Sequence, residues 1–324
     1  MRQVEFGTTG MRVSEIGFGG SRIGGVFAGN EGRREAQRLL AAALDAGITF
    51  YDTADMYARG ESESLIGTAF RGRRGEVVLA TKGGYCLPAQ RNLVHRLKPL
   101  LRPVVKALGL KRARMPAVLS GSLSQDFSPK YLATALEGSL RRLRTDYVDL
   151  YQLHSPTPAF VATDAFGEAL QALERMKAQG KLRFYGIATE TPEDAPACLD
   201  APGISSLQVG FGLLDLQALD TGTLAAASAR GLGIIARGCY GGGLMKDGLD
   251  ESRLREMTPK WERILALRAS SERQGRPLLE SALQFCRATP AVSVTLLGMH
   301  QRRHLEDSLR HLAGRPMDEA GYAT

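Results

Sequence analysis

Short apolar runs of strand length recur along the chain, and stretches with helical periodicity separate them. Leucines at helical spacing predict helices over residues 33–46 and 131–143. Strands that alternate with helices indicate βα units and a parallel sheet. Eight such runs in 324 residues therefore predict an α/β protein with one (β/α)8 TIM-barrel domain over residues 1–324. The predicted barrel strands are residues 16–19, 49–52, 77–81, 148–153, 184–188, 206–209, 233–236 and 292–297.

Two segments fall outside this alternation. Residues 4–6 and 12–14 flank the turn signal Thr8-Thr9-Gly10, which predicts a β-hairpin before the first barrel strand. Residues 86–120 follow the third strand, so they form a predicted long loop or helical insertion over the barrel mouth. Leucines there recur at helical spacing and basic residues occupy other positions. A solvated lid, a surface that binds an anionic substrate or a partner, and a membrane-surface helix are the alternatives for this insertion.

Composition narrows the class of protein and of ligand. The four cysteines form no C-x-x-C pair and have no histidine at metal-ligand spacing, so no metal site is predicted. No apolar stretch reaches the length of a membrane span and the start of the chain lacks a signal sequence, which predicts a cytoplasmic protein. The net charge of +8 suits a phosphate-bearing cofactor or an acidic substrate. Nucleic acid is not a predicted partner, because no binding signature interleaves aromatic with basic residues.

Four of the strand-like segments carry polar side chains to their C-terminal ends. FYDTADMY supplies Asp52 and Tyr57, VLATKGG supplies Lys82, YVDLYQLHSP supplies His154, and LQVGF supplies Gln208. The C-terminal ends of barrel strands are where this fold assembles active sites. An acid, a phenol, an ammonium and an imidazole in one mouth suit proton delivery to a carbonyl oxygen.

In these segments the chain resembles the aldo-keto reductase family, whose catalytic Asp, Tyr, Lys and His occur in the same contexts and order. The resemblance runs from FGTTGMRVSEIGFGG through ESLIGTAF and SLRRLRTDYVDLYQLH to VSVTLLG and HLEDSLR, and it leaves out residues 86–120. It implies an NADP(H)-dependent oxidoreductase, with NAD(H) as the alternative cofactor. Its small-molecule substrate would be an aldehyde or ketone, or the corresponding alcohol.

The resemblance also implies a role for each member of the tetrad. Tyr57 would donate the proton, and Lys82 would assist because a nearby ammonium favours a phenolate. Asp52 would hold Lys82 in place, and His154 would orient the carbonyl oxygen and relay the proton. The nearby residues Tyr51, Asp55 and Tyr85 receive no catalytic role; by strand alternation Tyr51 points to the opposite side from Asp52.

The G-x-G-x-x-G pattern that starts at Gly17 is incomplete, so it does not indicate a dinucleotide fold. The resemblance instead implies a cofactor extended across the mouth, where Gly20 and Ser21 could contact its nicotinamide side. Gln208 matches the family glutamine that binds the nicotinamide carboxamide, but Ala188-Thr189 replaces the usual Ser-Asn pair. Arg237 replaces the aromatic ring that stacks on nicotinamide, and a planar guanidinium can also stack.

Later loops would bind the rest of the dinucleotide. Glycines after the seventh strand would allow close approach to the pyrophosphate, although they also suit a flexible turn. A basic helix start after the eighth strand favours the 2′-phosphate of NADP(H), although it also suits a solvated surface. The predicted cofactor-binding residues are Gly20, Ser21, Asp52, Thr189, Gln208, Arg237, Gly238, Tyr240, Gly243, Gly298, His300, Arg303 and Ser308.

Two further functions are compatible with the sequence. A sugar or secondary-metabolite tailoring dehydrogenase or epimerase on this scaffold could pair an anionic substrate with Arg91, Arg96 or Arg102 of the insertion. A nucleotide-sensing regulatory subunit would bind the cofactor and a partner with little turnover. The complete tetrad favours an enzyme, but the substrate depends on loops, and the sequence does not indicate the oligomeric state.

Overall fold

The computed structural model describes residues 1–25, 29–86 and 124–316, and leaves out the side chains of residues 29–31. Apart from Cys86, the predicted insertion at residues 86–120 lies outside the described residues. Among the described residues, no helix is both long enough and apolar enough to cross a membrane.

Eight parallel strands among the described residues close into a barrel, which confirms the predicted fold. Each barrel strand pairs with the next one in the chain, and the last strand pairs with the first. Two shorter two-stranded sheets accompany the barrel. The strands are β1 (Gln3–Glu5), β2 (Arg12–Ser14), β3 (Ile16–Gly19), β4 (Phe50–Asp52), β5 (Val78–Gly83), β6 (Tyr85–Cys86), β7 (Ser124–Gln125), β8 (Val148–His154), β9 (Leu182–Ala188), β10 (Ser206–Gly210), β11 (Gly233–Arg237) and β12 (Val294–Gly298). The barrel consists of β3, β4, β5 and β8 to β12.

Amphipathic helices cover the outside of the barrel. The third helix shows why they form, because Ser128 caps its N-terminus by accepting from the amide of Tyr131, and Pro129 occupies its first turn. The helices are α1 (Gly29–Asp45), α2 (Glu61–Ala69), α3 (Pro129–Leu143), α4 (Pro158–Val161), α5 (Asp164–Ala178), α6 (Gln217–Asp220), α7 (Thr223–Ala229), α8 (Glu251–Met257), α9 (Trp261–Arg273), α10 (Leu278–Ala288) and α11 (Arg302–Leu312).

The predicted hairpin closes the end of the barrel opposite the site. Strands β1 and β2 pair antiparallel, and the amide of Phe6 donates to the carbonyl of Met11 across the turn at 2.9 Å. Phe6 and Met11 are buried in one apolar cluster with the inward residues Phe50, Leu150 and Ile235 of the barrel. The end of the barrel next to the hairpin is therefore filled with apolar side chains.

Strand alternation assigns opposite faces to neighbouring residues. Tyr51 points outward, where its hydroxyl donates to the carbonyl of Leu40 on α1 at 3.1 Å, as its sequence position predicts. Its neighbour Asp52 points into the barrel, and Lys82 on β5 meets it there. The sequence places the two members of this pair 30 residues apart, and the parallel pairing of β4 with β5 brings them together.

The tight packing of α2 against α3 depends on a glycine. A Cβ at Gly67 would lie 2.4 Å from the backbone of Leu143, closer than any ordinary contact. We expect Gly67→Ala to lower the free energy of unfolding by about 1–3 kcal/mol, because the backbone must shift to admit the methyl group. The matched control is Gly167→Ala in α5, where a Cβ would meet no atom within 4 Å.

The control should raise the free energy of unfolding by about 0.5–1 kcal/mol, because alanine is the better helix former. Urea denaturation of both variants measures the two changes. Stabilisation by both substitutions would show that the α2–α3 contact yields easily and does not constrain the packing.

Candidate active site

A buried ion pair occupies the mouth, which is the end of the barrel formed by the C-terminal ends of its strands. The Lys82 side chain is only 2% exposed, and its Nζ donates to Asp52 Oδ2 at 2.6 Å. It also donates to the carbonyl oxygen of Thr53 at 2.8 Å. Two oxygen acceptors thus hold the ammonium at a fixed point inside the barrel.

The charges in this pair depend on each other. Burial by itself lowers the pKa of Lys82, but the neighbouring Asp52 carboxylate and the Tyr57 side chain together raise it above its ordinary value. Burial raises the pKa of Asp52, and the Lys82 ammonium opposes that rise. Lys82 therefore remains a cation across the neutral range, which is the state that stabilises a neighbouring anion.

Tyr57 lies beside this cation at the start of a tight turn. Its ring centroid is 5.0 Å from Lys82 Nζ, and 5.8 Å from the ring centroid of His154 at an angle of 81°. The turn continues through Ala58 and Arg59 in the left-handed region, at φ 48° and 59°. Residues with a Cβ are uncommon there, so the backbone after Tyr57 is strained.

The end of this turn is covered by a side chain from α3. A Cβ at Gly60 would lie 2.5 Å from Cδ of Arg142. Arg142 Nε in turn donates to Glu63 Oε2 at 2.6 Å, and Glu63 accepts from the hydroxyl of Thr81 on β5 at 2.6 Å. The turn that carries Tyr57 is thereby fixed to the layer between the barrel and the helices.

His154 is neutral in this site. Burial lowers its pKa to about 2, and the charges of Lys82 and Arg237 act in the same direction. A neutral imidazole has one N–H donor and one acceptor nitrogen. It can donate a hydrogen bond to a carbonyl oxygen, but it does not carry a positive charge there.

Amide and hydroxyl groups also line the mouth. Gln208 is buried, and its Oε1 accepts from Gln152 Nε2 at 3.3 Å. The hydroxyl of Thr189 donates to the carbonyl of Gln208 at 3.3 Å. Sequence reasoning missed Gln152, although strand alternation could have found it, because it lies two residues before His154 on β8.

Arg237 lies at the end of β11 and reaches towards β9. Its Nη2 donates to the carbonyl of Thr189 at 2.8 Å and also to the carbonyl of Glu190. These bonds fix the guanidinium next to the mouth, where its charge also affects the pKa values of Asp52 and His154. Its predicted role at the nicotinamide ring stays a prediction.

The glycines named from the sequence divide into two kinds. At Gly238, Gly243 and Gly298 a Cβ would meet no atom within 4 Å, so this backbone is open to a ligand. At Gly20 a Cβ would lie 2.8 Å from the hydroxyl oxygen of Ser62, which also donates to the Gly20 carbonyl. Close packing therefore accounts for Gly20, whereas Ser21 is exposed at the rim.

A basic cluster surrounds the start of α11. The rings of His300 and His304 are 4.4 Å apart, and burial together with neighbouring cations lowers the pKa of both. Arg303 and Arg22 contribute to those lowered pKa values, and Arg22 Nη2 also donates to the carbonyl of Gly242 at 3.0 Å. Basic groups at a helix N-terminus suit a phosphate.

Ser308 and Tyr240, two of the predicted cofactor-binding residues, contact the last helix. The hydroxyl of Ser308 donates to the carbonyl of His304 at 2.7 Å, so it is tied into α11. The ring of Tyr240 packs edge-on against His311, with 6.5 Å between the centroids. The structure does not place either side chain among the groups that meet in the mouth.

Two residues without a predicted role lie beside the tetrad. Burial and the nearby Glu63 together raise the pKa of Asp55 to about 7. The Asp55 amide donates to the Lys82 carbonyl at 3.1 Å. The ring of Tyr85 meets that of His154 edge to face, with 4.9 Å between the centroids.

Comparisons with known proteins agree with the predicted family and fold. The model of the Aldo/keto reductase family matches residues 15–323. "Uncharacterized oxidoreductase YqkF" of Bacillus subtilis is 28% identical over 98% of this chain and 94% of its own length. "D-threo-aldose 1-dehydrogenase" of a Pseudomonas species is 27% identical over 94% of this chain and 91% of its own length. The structure of aldo-keto reductase AKR11C1 from Bacillus halodurans in its holo form is 27% identical and superposes with a TM-score of 0.77, covering 99% of this chain and 94% of that one.

The lowered pKa of His154 predicts a pH-dependent stability. Below about pH 6.5 the unfolded chain binds a proton at this residue, while the folded chain does not until about pH 2. Falling pH therefore favours the unfolded state, by about 1.4 kcal/mol per pH unit from this group. We expect His154→Gln to lose free energy of unfolding less steeply than the wild type between pH 6.5 and 4.5.

Urea denaturation at a series of pH values measures both slopes. Asp and Glu residues contribute equally to the two proteins, so the difference between the slopes isolates His154. Parallel slopes would contradict the buried neutral imidazole.

Proposed function

The chain belongs to the aldo-keto reductase family, and on that premise we propose that it interconverts an aldehyde or ketone with an alcohol, using NADP(H) and Tyr57 as proton donor. One observation carries the proposal. The buried ammonium of Lys82 is bonded to the Asp52 carboxylate and lies 5.0 Å from the centroid of the Tyr57 ring, and the neutral imidazole of His154 meets the same ring edge-on. These four groups are those that a proton transfer to a carbonyl oxygen requires.

Each residue has a distinct part in the reduction. Bound NADPH supplies the hydride to the carbonyl carbon. The hydroxyl of Tyr57 donates its proton to the carbonyl oxygen, and the Lys82 ammonium stabilises the phenolate that remains. Asp52 keeps that ammonium in place, and the N–H of His154 donates to the same oxygen and orients it. In alcohol oxidation the tyrosinate accepts the proton.

The described residues fit a nicotinamide dinucleotide along the mouth. Gln208 and Thr189 offer amide and hydroxyl groups for the carboxamide, and Arg237 offers a planar cation beside it. The open backbone of Gly238 and Gly243 suits the pyrophosphate. The basic cluster at the start of α11 suits a 2′-phosphate, which favours NADP(H) over NAD(H).

Sugar oxidation is a second candidate, because a relative that matches 94% of this chain is named D-threo-aldose 1-dehydrogenase. The tetrad serves either direction of the reaction, so the same proton acceptor would act on a sugar hydroxyl. Faster turnover of aldoses with NADP⁺ than of simple aldehydes with NADPH would favour this candidate.

The proposed proton donor is tested by Tyr57→Phe. We expect the variant to bind NADPH with nearly the wild-type Kd, because the ring remains, and to lose about 10²- to 10⁴-fold in kcat, because the acid is gone. Fluorescence titration with NADPH and NADH measures binding. Turnover on a panel of aldehydes, ketones and aldoses measures the reaction.

Three results would count against the proposal. Absence of dinucleotide binding by the wild type would overturn it. Unchanged turnover in Tyr57→Phe would assign the proton to another group. Tight binding without turnover on any substrate would favour the nucleotide-sensing regulatory subunit.

The preference for NADP(H) is tested by Arg303→Ala. We expect the variant to raise the Kd of NADPH about 10- to 100-fold, because a charge-assisted bond to phosphate contributes about 1.5–3 kcal/mol. The Kd of NADH should stay constant. The matched control is Arg310→Ala near the other end of α11, where Arg310 pairs with Asp307 at 3.1 Å. An equal effect of Arg303→Ala on both cofactors would contradict a 2′-phosphate contact.

A further inference from the structure

We propose that Gln125 and Tyr85 are positioning residues that fix the imidazole of His154 against the reacting carbonyl oxygen. The inference rests on the proposed function, because it assigns His154 a hydrogen bond to the substrate. It extends that function to two residues of a separate two-stranded sheet, β6 and β7.

The contacts of Gln125 reach the backbone of the catalytic strand end. Its Nε2 donates to the carbonyl of His154 at 3.0 Å and to the carbonyl of Ser155 at 2.8 Å. These two carbonyls come at the point where β8 ends. One amide group thus holds two successive peptide units, and these carry the imidazole.

The backbone at this point requires such support. Ser155 lies in the left-handed region, at φ 57°, which is unfavourable for a residue with a Cβ. Its amide donates to the carbonyl of Ala188 at 2.7 Å, and its hydroxyl donates to Glu190 at 2.8 Å. The strained residue is therefore held from β9 on one side and from Gln125 on the other.

Tyr85 holds the imidazole ring itself. Its ring meets that of His154 at 83°, and the imidazole also meets the ring of Tyr57 at 81°. Tyr85 is in turn fixed, because the Tyr131 hydroxyl donates to its carbonyl at 2.7 Å. Tyr85 and Gln125 are directly paired partners in the β6–β7 ladder. The residue that bonds the backbone of His154 and the residue that packs against its ring therefore belong to the same two-stranded sheet.

The packing of Tyr85 against His154 matters because, among the described residues, no hydrogen bond at Nδ1 orients this imidazole. In many sites the second ring nitrogen of a histidine is bonded, and that bond sets the tautomer and the orientation. Within the described residues, Nδ1 of His154 is buried and has no hydrogen-bond partner. Orientation then depends on the neighbouring rings and on the backbone, which Tyr85 and Gln125 provide.

A double-mutant cycle tests Gln125. Gln125→Met keeps the length of the side chain and removes the donor. In the wild-type background we expect a fall of about 10- to 100-fold in kcat for 4-nitrobenzaldehyde with NADPH, because a displacement near 1 Å has that effect. In a His154→Ala background the same substitution should have almost no effect on kcat, since nothing remains to be positioned. The Kd of NADPH should not change in either background.

The matched control is Gln179→Met, at an exposed glutamine after α5, which should leave kcat at the wild-type value in both backgrounds. An equal loss from Gln125→Met in both backgrounds overturns the positioning role. Unchanged turnover in His154→Ala itself instead contradicts the proposed function, so the two failures are distinguishable.

A second arm uses Tyr85 and needs no turnover. Tyr85→Leu should allow the imidazole of His154 to exchange between orientations and tautomers, and Tyr85→Phe should restore the wild-type behaviour because the ring remains. The ¹⁵N shifts of the two ring nitrogens, assigned by comparison with His154→Gln, report this change. Shifts that stay at their wild-type values in both Tyr85→Leu and Gln125→Met would overturn the proposal. This readout also applies to a variant that is not stable enough for kinetic measurements.

Discussion

The ion pair between Lys82 and Asp52 is the interaction on which the rest of the site depends. Both groups are buried at 2.6 Å separation, and each would be costly inside the barrel alone. Removal of either partner leaves an uncompensated charge, which typically costs about 3–5 kcal/mol. The two charges therefore stabilise each other only when the barrel closes around them. The Lys82 ammonium then remains a permanent cation beside Tyr57, and it contributes to the lowered pKa of His154.

Apolar side chains that stabilise the fold and polar side chains of the site occupy opposite ends of the barrel interior. Near the hairpin, inward positions carry Phe50, Leu150 and Ile235, which form one apolar cluster with Phe6. Two residues further along the same strands, inward positions carry Asp52 and other polar groups. A parallel barrel brings all such positions to one end because its strands run in the same direction. The polar groups gain a low-dielectric surrounding there, which strengthens their mutual interactions.

Much of this could be predicted from the sequence, because strand period and strand ends are local signals. Lys82 and His154 stand at the C-terminal ends of apolar runs, which marked them as residues of the barrel mouth. The observed barrel strands overlap the predicted ones. Gln125 could not be predicted in this way, because it reaches His154 only through the antiparallel pairing of β6 with β7. The resemblance predicted a cofactor contact for Gly20, but the close contact of Gly20 with Ser62 depends on how α2 packs, which the local sequence pattern does not show.

The turn after Tyr57 connects the mouth to the outer helices α2 and α3. Arg142 covers Gly60 from α3 and is bonded to Glu63 on α2, which is bonded to Thr81 behind Lys82. A change in the packing of α2 against α3 would therefore shift the turn that carries the phenol of Tyr57. Selection for altered activity would therefore recover substitutions on the outer helices as well as in the mouth. The positions that affect activity would include residues of the outer helical layer.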